Sequence, residues 1–359
     1  MRIHLLSALA MMAIFSSSTV LAQQQEQQKS RVGLVCGNNA YYPFTGKENT
    51  EFTKYQEGWV DVRMTVQQDE SITDVDVVNS FGNPNFPKAI IDFIPKCKYV
   101  DLKENPEIKF PVKNVSLRYY FSMNKTQRET GASKQIYKKL KEIQDLTDSG
   151  NLDAAEAALD KIEGEVDTLY EIMHMLIRRS AVLMKRGQPD IALRYLRTLM
   201  LSKEYLEPAE YIQLLRLRLG LELAQGLLND AESTLTQLQA EKISLDGDPM
   251  LAGLSQLRAV AQSGQPMAVS GKLPTACRPV ICDPAKPSWS YKPVHRNVAL
   301  TNVTGKLDDV SIRCDRRTFR TKAEADVSWA IPASWGKCSV SITGEPGATF
   351  TLIDEEPAK

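Results

Sequence analysis

The chain has 359 residues, with 44 basic and 44 acidic side chains and a formal net charge of zero. A balanced charge argues against nucleic acid as a partner, because phosphate binding needs a basic excess. The length exceeds one hydrophobic core, so several domains are expected.

The first element is an expected signal peptide over 1–22. Arg2 gives the positive start, 5–15 the apolar core, and Val20-Leu21-Ala22 a small-residue cleavage site. The mature chain is then expected outside the cytoplasm, in a bacterial periplasm. An uncleaved segment would instead anchor it in the inner membrane, although the apolar run is short for that role. The six cysteines are Cys36, Cys97, Cys277, Cys282, Cys314 and Cys338. An even count in an exported chain points to disulfides. Pairing within domains gives Cys36 with Cys97. The other four pair as Cys277–Cys282 with Cys314–Cys338, or in one of two further ways. Cys277 and Cys282 form one spaced pair with no second, which does not make a zinc site.

Residues 57–66 place Val60, Val62, Met64 and Val66 on alternate positions, the period of a half-buried strand. A polar break follows over 67–71, then a second alternating run over 72–77. A short apolar helix is expected over 86–94 and a third strand over 115–123. The order is ββαβ, within an expected unit of 31–124. Tyr42-Pro43, Glu57-Gly58, the spacing of Val60, Val62 and Val66, then Val75, Val77, Ser80 and Gly82, and Phe86 with Ala89, resemble the C-terminal domain of TonB-family energy transducers. The resemblance covers about residues 40–124. It departs at Asp69-Glu70, where the family usually has Asp-Gly, and at 95–99, where the family often has Trp-x-Phe. It implies an edge strand that pairs with a peptide of an outer-membrane receptor, by strand addition. The edge residues are Val115, Ser116, Arg118, Tyr120 and Ser122. Leu117, Tyr119 and Phe121 would face the helix. The same edge would allow a homodimer.

Over 130–263 the spacing becomes helical. Gly150-x₄-Ala155-x₃-Leu159-x₂-Ile162 recurs as Gly187, Ala192, Leu196, Leu199 and as Gly226, Ala231, Leu235, Leu238. Each glycine can leave a helix through a left-handed conformation, and each alanine permits close packing. The pattern looks like degenerate tetratricopeptide-type helix pairs, whose period is about 34 residues. Such a solenoid binds peptides or proteins on its concave face. His174 reads as a packing or surface residue rather than a metal ligand.

Gly264 to Leu273 is rich in Gly, Pro and Ser and reads as a linker. Over 274–356, short strands at 298–303, 310–314, 327–331, 338–342 and 349–353 suggest a small disulfide-tied β-sandwich. Trp289, Trp329 and Trp335 read as core or half-buried aromatics. The fold class is therefore α+β and multidomain.

Chemistry finds little footing. His4 lies in the signal, and His174 and His295 stand alone. Gly271-Lys272 lacks the glycine and Ser/Thr of a phosphate loop. No cofactor, metal or catalytic set is expected. The leading expectation is a non-enzymatic periplasmic adaptor of the TonB family, tied to outer-membrane transport. A working transducer needs a long spacer. Residues 23–40 reach about 60 Å at roughly 3.3 Å each and contain no proline. The alternatives are a membrane-anchored transducer, and an exported carbohydrate-binding protein or enzyme acting through the C-terminal β domain.

Overall fold

The structure is a computed structural model that describes residues 33–36, 57–100, 109–121, 131–200, 203–243, 245, 247–275, 278, 280–281 and 286–356. The expected signal segment, Ser122, Cys277 and Cys282 lie outside these residues. The described chain is mixed α+β, with several antiparallel sheets.

The N-terminal unit contains β1 (Leu34–Cys36), β2 (Gly58–Val66), β3 (Ile72–Phe81), α1 (Phe86–Phe93), β4 (Cys97–Tyr99) and β5 (Val112–Phe121). Strands β3, β2 and β5 form one antiparallel sheet in that order. Val60, Val62, Met64 and Val66 are buried against α1, as their alternation requires. At the β2–β3 turn Glu70 takes a left-handed conformation, φ 70°. Asp69 supports it by accepting from the Ser71 amide at 3.1 Å and hydroxyl at 2.6 Å. A side chain that bonds its neighbouring backbone can thus serve where glycine is usual. The sequence shows neither β1 nor β4. The two pair antiparallel with Cys36 opposite Cys97, and the disulfide joins these residues.

The helical unit runs α2 (Lys134–Asp148), α3 (Leu152–Glu163), α4 (Leu169–Lys185), α5 (Pro189–Met200), α6 (Pro208–Ala224), α7 (Leu228–Ala240) and α8 (Pro249–Gln262). The recurring glycines end α2, α4 and α6 with φ of 79°, 69° and 69°. All three turns carry the same pair of hydrogen bonds. Gly150, Gly187 and Gly226 donate three residues back, to Thr147, Met184 and Leu223. The following residue donates five back, to Leu146, Leu183 and Glu222. This is the Schellman ending, which satisfies carbonyls the helix leaves open. Ala155, Ala192 and Ala231 are fully buried, as are Ile162, Leu199 and Leu238.

The C-terminal unit is a sandwich of two four-stranded antiparallel sheets. Its strands are β6 (Met267–Lys272), β7 (Ser288–Tyr291), β8 (Asn297–Thr304), β9 (Leu307–Cys314), β10 (Thr318–Lys322), β11 (Ser328–Ala330), β12 (Cys338–Gly344) and β13 (Thr349–Glu355). The sheet orders are β10-β9-β12-β7 and β11-β8-β13-β6. Trp289 meets Phe350 edge-on at 5.2 Å across the core. Trp329 and Trp335 are half-buried. Cys314 and Cys338 are bonded and lie opposite each other on β9 and β12. One expectation is corrected. The stretch from Gly264 to Leu273 is not a linker, because β6 pairs with β13 along it. Met267, Val269 and Gly271 are buried and alternate with exposed residues, so the period of 2 outweighs the Gly/Ser content. Strands β7 and β10 also escape the sequence.

Ala192 touches a fully filled interior. Ala192→Leu is expected to destabilise the chain by about 1–3 kcal/mol through overpacking. A thermal melt equal to wild type would show that the helix pair is not tight there.

Candidate partner-binding surface

The residues expected on the partner strand divide between two faces of β5. Val115, Leu117, Tyr119 and Phe121 pack toward α1. Phe121 stacks on Phe86 at 3.9 Å, and Tyr119 meets Phe93 edge-on at 5.8 Å. Ser116 is exposed opposite Arg63. Arg118 and Tyr120 point to the second face, which the helical unit covers. The Arg118 guanidinium donates Nε–H and Nη2–H to the two Asp61 oxygens at 2.6 and 2.7 Å. Its Nη1–H donates to the Thr198 carbonyl at 2.8 Å. The group also lies 4.7 Å from the centre of the Trp59 ring. Trp59 is fully buried, and Tyr120 sits 5.5 Å from Tyr205.

The same face holds a second helix end. The Glu57 carboxylate accepts from Leu169 N–H at 2.8 Å, and the Glu57 amide donates to Asp167 at 2.9 Å. Leu169 opens α4, whose first amides lack intrahelical partners. Gly58 is then required by space, since a Cβ would stand 2.1 Å from the Phe81 carbonyl oxygen. At the start of β5, Lys113 N–H donates to the Asp315 carbonyl at 2.7 Å. Asn114 Nδ2 donates to the Cys314 carbonyl at 2.8 Å. That part of the strand is held by the sandwich. Sequence reasoning missed Glu57, Trp59 and Asp61. The available signal was a complementary charge pair, Asp61 and Arg118, on the strand face away from the helix.

The helical unit also has two unlike sides. Two second helices, α3 and α7, meet the C-terminal unit. Arg278 binds Asp160 and, at 2.7 Å, Glu163. These acids also hold the buried Arg179 at 3.0 and 3.1 Å. Lys292 reaches Asp230 at 2.7 Å, and Asn229 donates to the Pro293 carbonyl at 2.8 Å. His295, Tyr291 and Asp354 are buried together at this junction. Tyr291 donates to Asp354 at 2.8 Å, and the His295 ring nitrogens sit 3.2 Å from the Asp354 carbonyl and 3.0 Å from the Ala261 carbonyl. Burial pushes the Asp354 carboxyl up, against the hydrogen bonds it accepts. This set joins α8 to the sandwich.

The first helices show a different side. On α4, Tyr170, His174 and Arg178 recur every four residues and form one half-buried row. Tyr137 of α2 is 66 % exposed and Leu217 of α6 is 38 % exposed. The Tyr170 and His174 rings meet at a tilt of 43°, with centroids 4.2 Å apart. Glu210 approaches His174 Nδ1 at 3.8 Å. His174 Nε2 and Arg178 Nε are buried without hydrogen-bond partners. Burial pushes the Tyr170 and Glu210 groups up. Such a row offers aromatic surface, an imidazole nitrogen and a guanidinium to a bound chain. Among the described residues no His, Cys, Asp or Glu cluster suits a metal, and no helix is long and apolar enough to cross a membrane. Comparison with protein-family models, curated proteins and solved structures gives no match.

Arg118→Ala is expected to cost about 2–4 kcal/mol, because Asp61 loses its bidentate partner and Thr198 its donor. Urea unfolding measures this, and an unchanged midpoint would make the contact incidental. A second expectation concerns pH. Burial first, and then the Arg178 charge, lowers the His174 pKa from 6.5 to about 4. The unfolded chain therefore binds the proton more readily in that window. The contribution is complete above the unfolded value and is lost as pH falls toward 4, with a size of at most about 3 kcal/mol. The raised Glu210 carboxyl opposes it, contributing below its unfolded pKa and fading as pH rises. Stability profiles of His174→Gln should be flatter than wild type between those limits.

Proposed function

We propose that the chain is an exported, non-enzymatic adaptor that binds a protein segment along the first helices of its repeats. The observation that carries this reading is the row Tyr170, His174 and Arg178 on α4, with exposed Tyr137 on α2 and exposed Leu217 on α6. Aromatic and arginine side chains are the types that anchor protein contacts. The second helices α3 and α7 are engaged by the C-terminal unit and α5 by Arg118 of the N-terminal sheet, so a partner has the first-helix side to use. The tetratricopeptide-like reading draws support from the three like turns at Gly150, Gly187 and Gly226. The TonB-like reading draws support from the antiparallel sheet β3-β2-β5 with α1 packed on it. Strand addition on β5 belongs to the same proposal but is limited to the stretch beyond Asn114. The remaining residues of the proposed edge act through their backbone, because Arg118 and Tyr120 turn their side chains to the helices. A periplasmic site of action follows from the expected signal segment, and receptor peptides of outer-membrane transport are the proposed partner class.

Photo-crosslinking in intact cells tests the proposal. A crosslinking residue at Tyr137 or Leu217 is expected to trap the same envelope protein. One at Asp308, on the sandwich, is expected to trap none. Indistinguishable products from all three positions would sink the reading.

A further inference from the structure

The second face of the N-terminal sheet continues past Trp59 and Asp61 to Arg63. Arg63 alternates with the buried Val62 and Met64, and its cross-strand neighbours are Asp76 and Ser116. Its nearest carboxylate is Asp76, 3.8 Å away and itself 72 % exposed. The contacts of Lys113 and Asn114 place this part of the sheet against the end of β9. There Arg313 stands between the inward-facing Ile312 and Cys314, so it belongs to the outer face of its sheet. Its neighbours on that face are Thr318 and Ser339, and Ser311 on the same face is buried.

The Arg313 backbone is paired in its sheet, and among the described residues the nearest opposite charge to its guanidinium is Asp76. Burial lowers the pKa of both arginines and Asp76 opposes this in each, while the charges of Arg63 and Arg320 lower that of Arg313 further. Nearby acids are engaged elsewhere. Asp61 holds Arg118, Asp309 holds Arg320 at 2.5 Å and Lys322 at 3.5 Å, and Asp315 accepts from the Lys337 amide at 2.8 Å. Two half-buried guanidiniums share one largely exposed carboxylate, Asp76, so the junction keeps an excess of positive charge.

We propose that the junction of the N-terminal sheet and the sandwich binds a phosphate-type oxyanion between Arg63 and Arg313. A guanidinium presents paired N–H groups to an oxyanion edge. A tetrahedral oxyanion has an edge for each arginine, whereas a planar carboxylate has one. Ser116, Thr318 and Ser339 add hydroxyl groups beside the pair. The source is free phosphate, a phosphomonoester or a phospholipid headgroup, which share this chemistry.

The test uses the full chain at constant ionic strength, with inorganic phosphate, glycerol phosphate and chloride. Phosphate is expected to bind saturably in calorimetry and to raise Tm, and chloride is not. Arg313→Gln should weaken binding at least about tenfold, while its Tm without phosphate stays equal to wild type or rises as the repulsion is removed. Arg63→Gln should show the same loss of binding, and Arg258→Gln, on the distant α8, should bind as wild type. Pelleting with phosphatidylglycerol vesicles, competed by phosphate, would assign a headgroup. Binding of soluble phosphate without pelleting would assign a free anion. Equal responses to phosphate and chloride, or wild-type binding by Arg313→Gln and Arg63→Gln, would overturn the proposal.

Discussion

Glu57 and Arg118 lie on one face of the N-terminal sheet and reach helix ends of opposite polarity. Glu57 places a carboxylate at the open amides of α4, and Arg118 places a guanidinium at the last carbonyls of α5. A helix favours negative charge at its start and positive charge at its finish. The two contacts therefore set both position and orientation, since reversing the sheet would put like against like. Trp59 fills the space between them and belongs to the core of the helices, whereas Val60 beside it belongs to the core under α1. One strand thus serves two cores by the alternation of its side chains.

Burying charge is costly unless every donor and acceptor is met. The molecule meets this requirement unevenly. Arg118 has Asp61, Thr198 and the Trp59 ring. Arg179 shares Asp160 and Glu163 with Arg278, and the fully buried Glu222 accepts from Arg218 and Thr234. Arg63, Arg178 and Arg313 lack such coverage. Even at the well-paired joins some buried donors stay open, among them Trp59 Nε1 and Arg179 Nε.

Much of the architecture was legible because it follows from periods and turn chemistry. Strands β2 and β3, helix α1 and the three glycine turns come from local pattern. Of the two disulfides among the described residues, Cys36–Cys97 joins the pair expected from domain order, and Cys314–Cys338 is one of the three pairings left open for the C-terminal four cysteines. The missing parts have physical reasons. Strands β1 and β4 are three residues each and depend on pairing across 61 positions. Strand β6 looked like a linker, because glycine and serine mask its alternation. The division of β5 between two faces was visible, but what covers the second face was not. Alternation says which side chains share a face, and only the packed chain decides whether that face meets water, a helix or another sheet. For the same reason the Arg63–Arg313 junction had no local signature.

Strand β13, the last described element, lies inside its sheet, between β8 and β6. Neither neighbour can complete its ladder until that strand has been made. The helical pairs rest on contacts close in sequence, which form early and quickly. Assembly is therefore vectorial. The helices can take shape as the chain emerges, while β6 and β8 wait for their shared partner. During that interval both present unpaired edges, the state in which strands are prone to join another chain. The position of a single strand thus makes the C-terminal unit the late and vulnerable part of biogenesis.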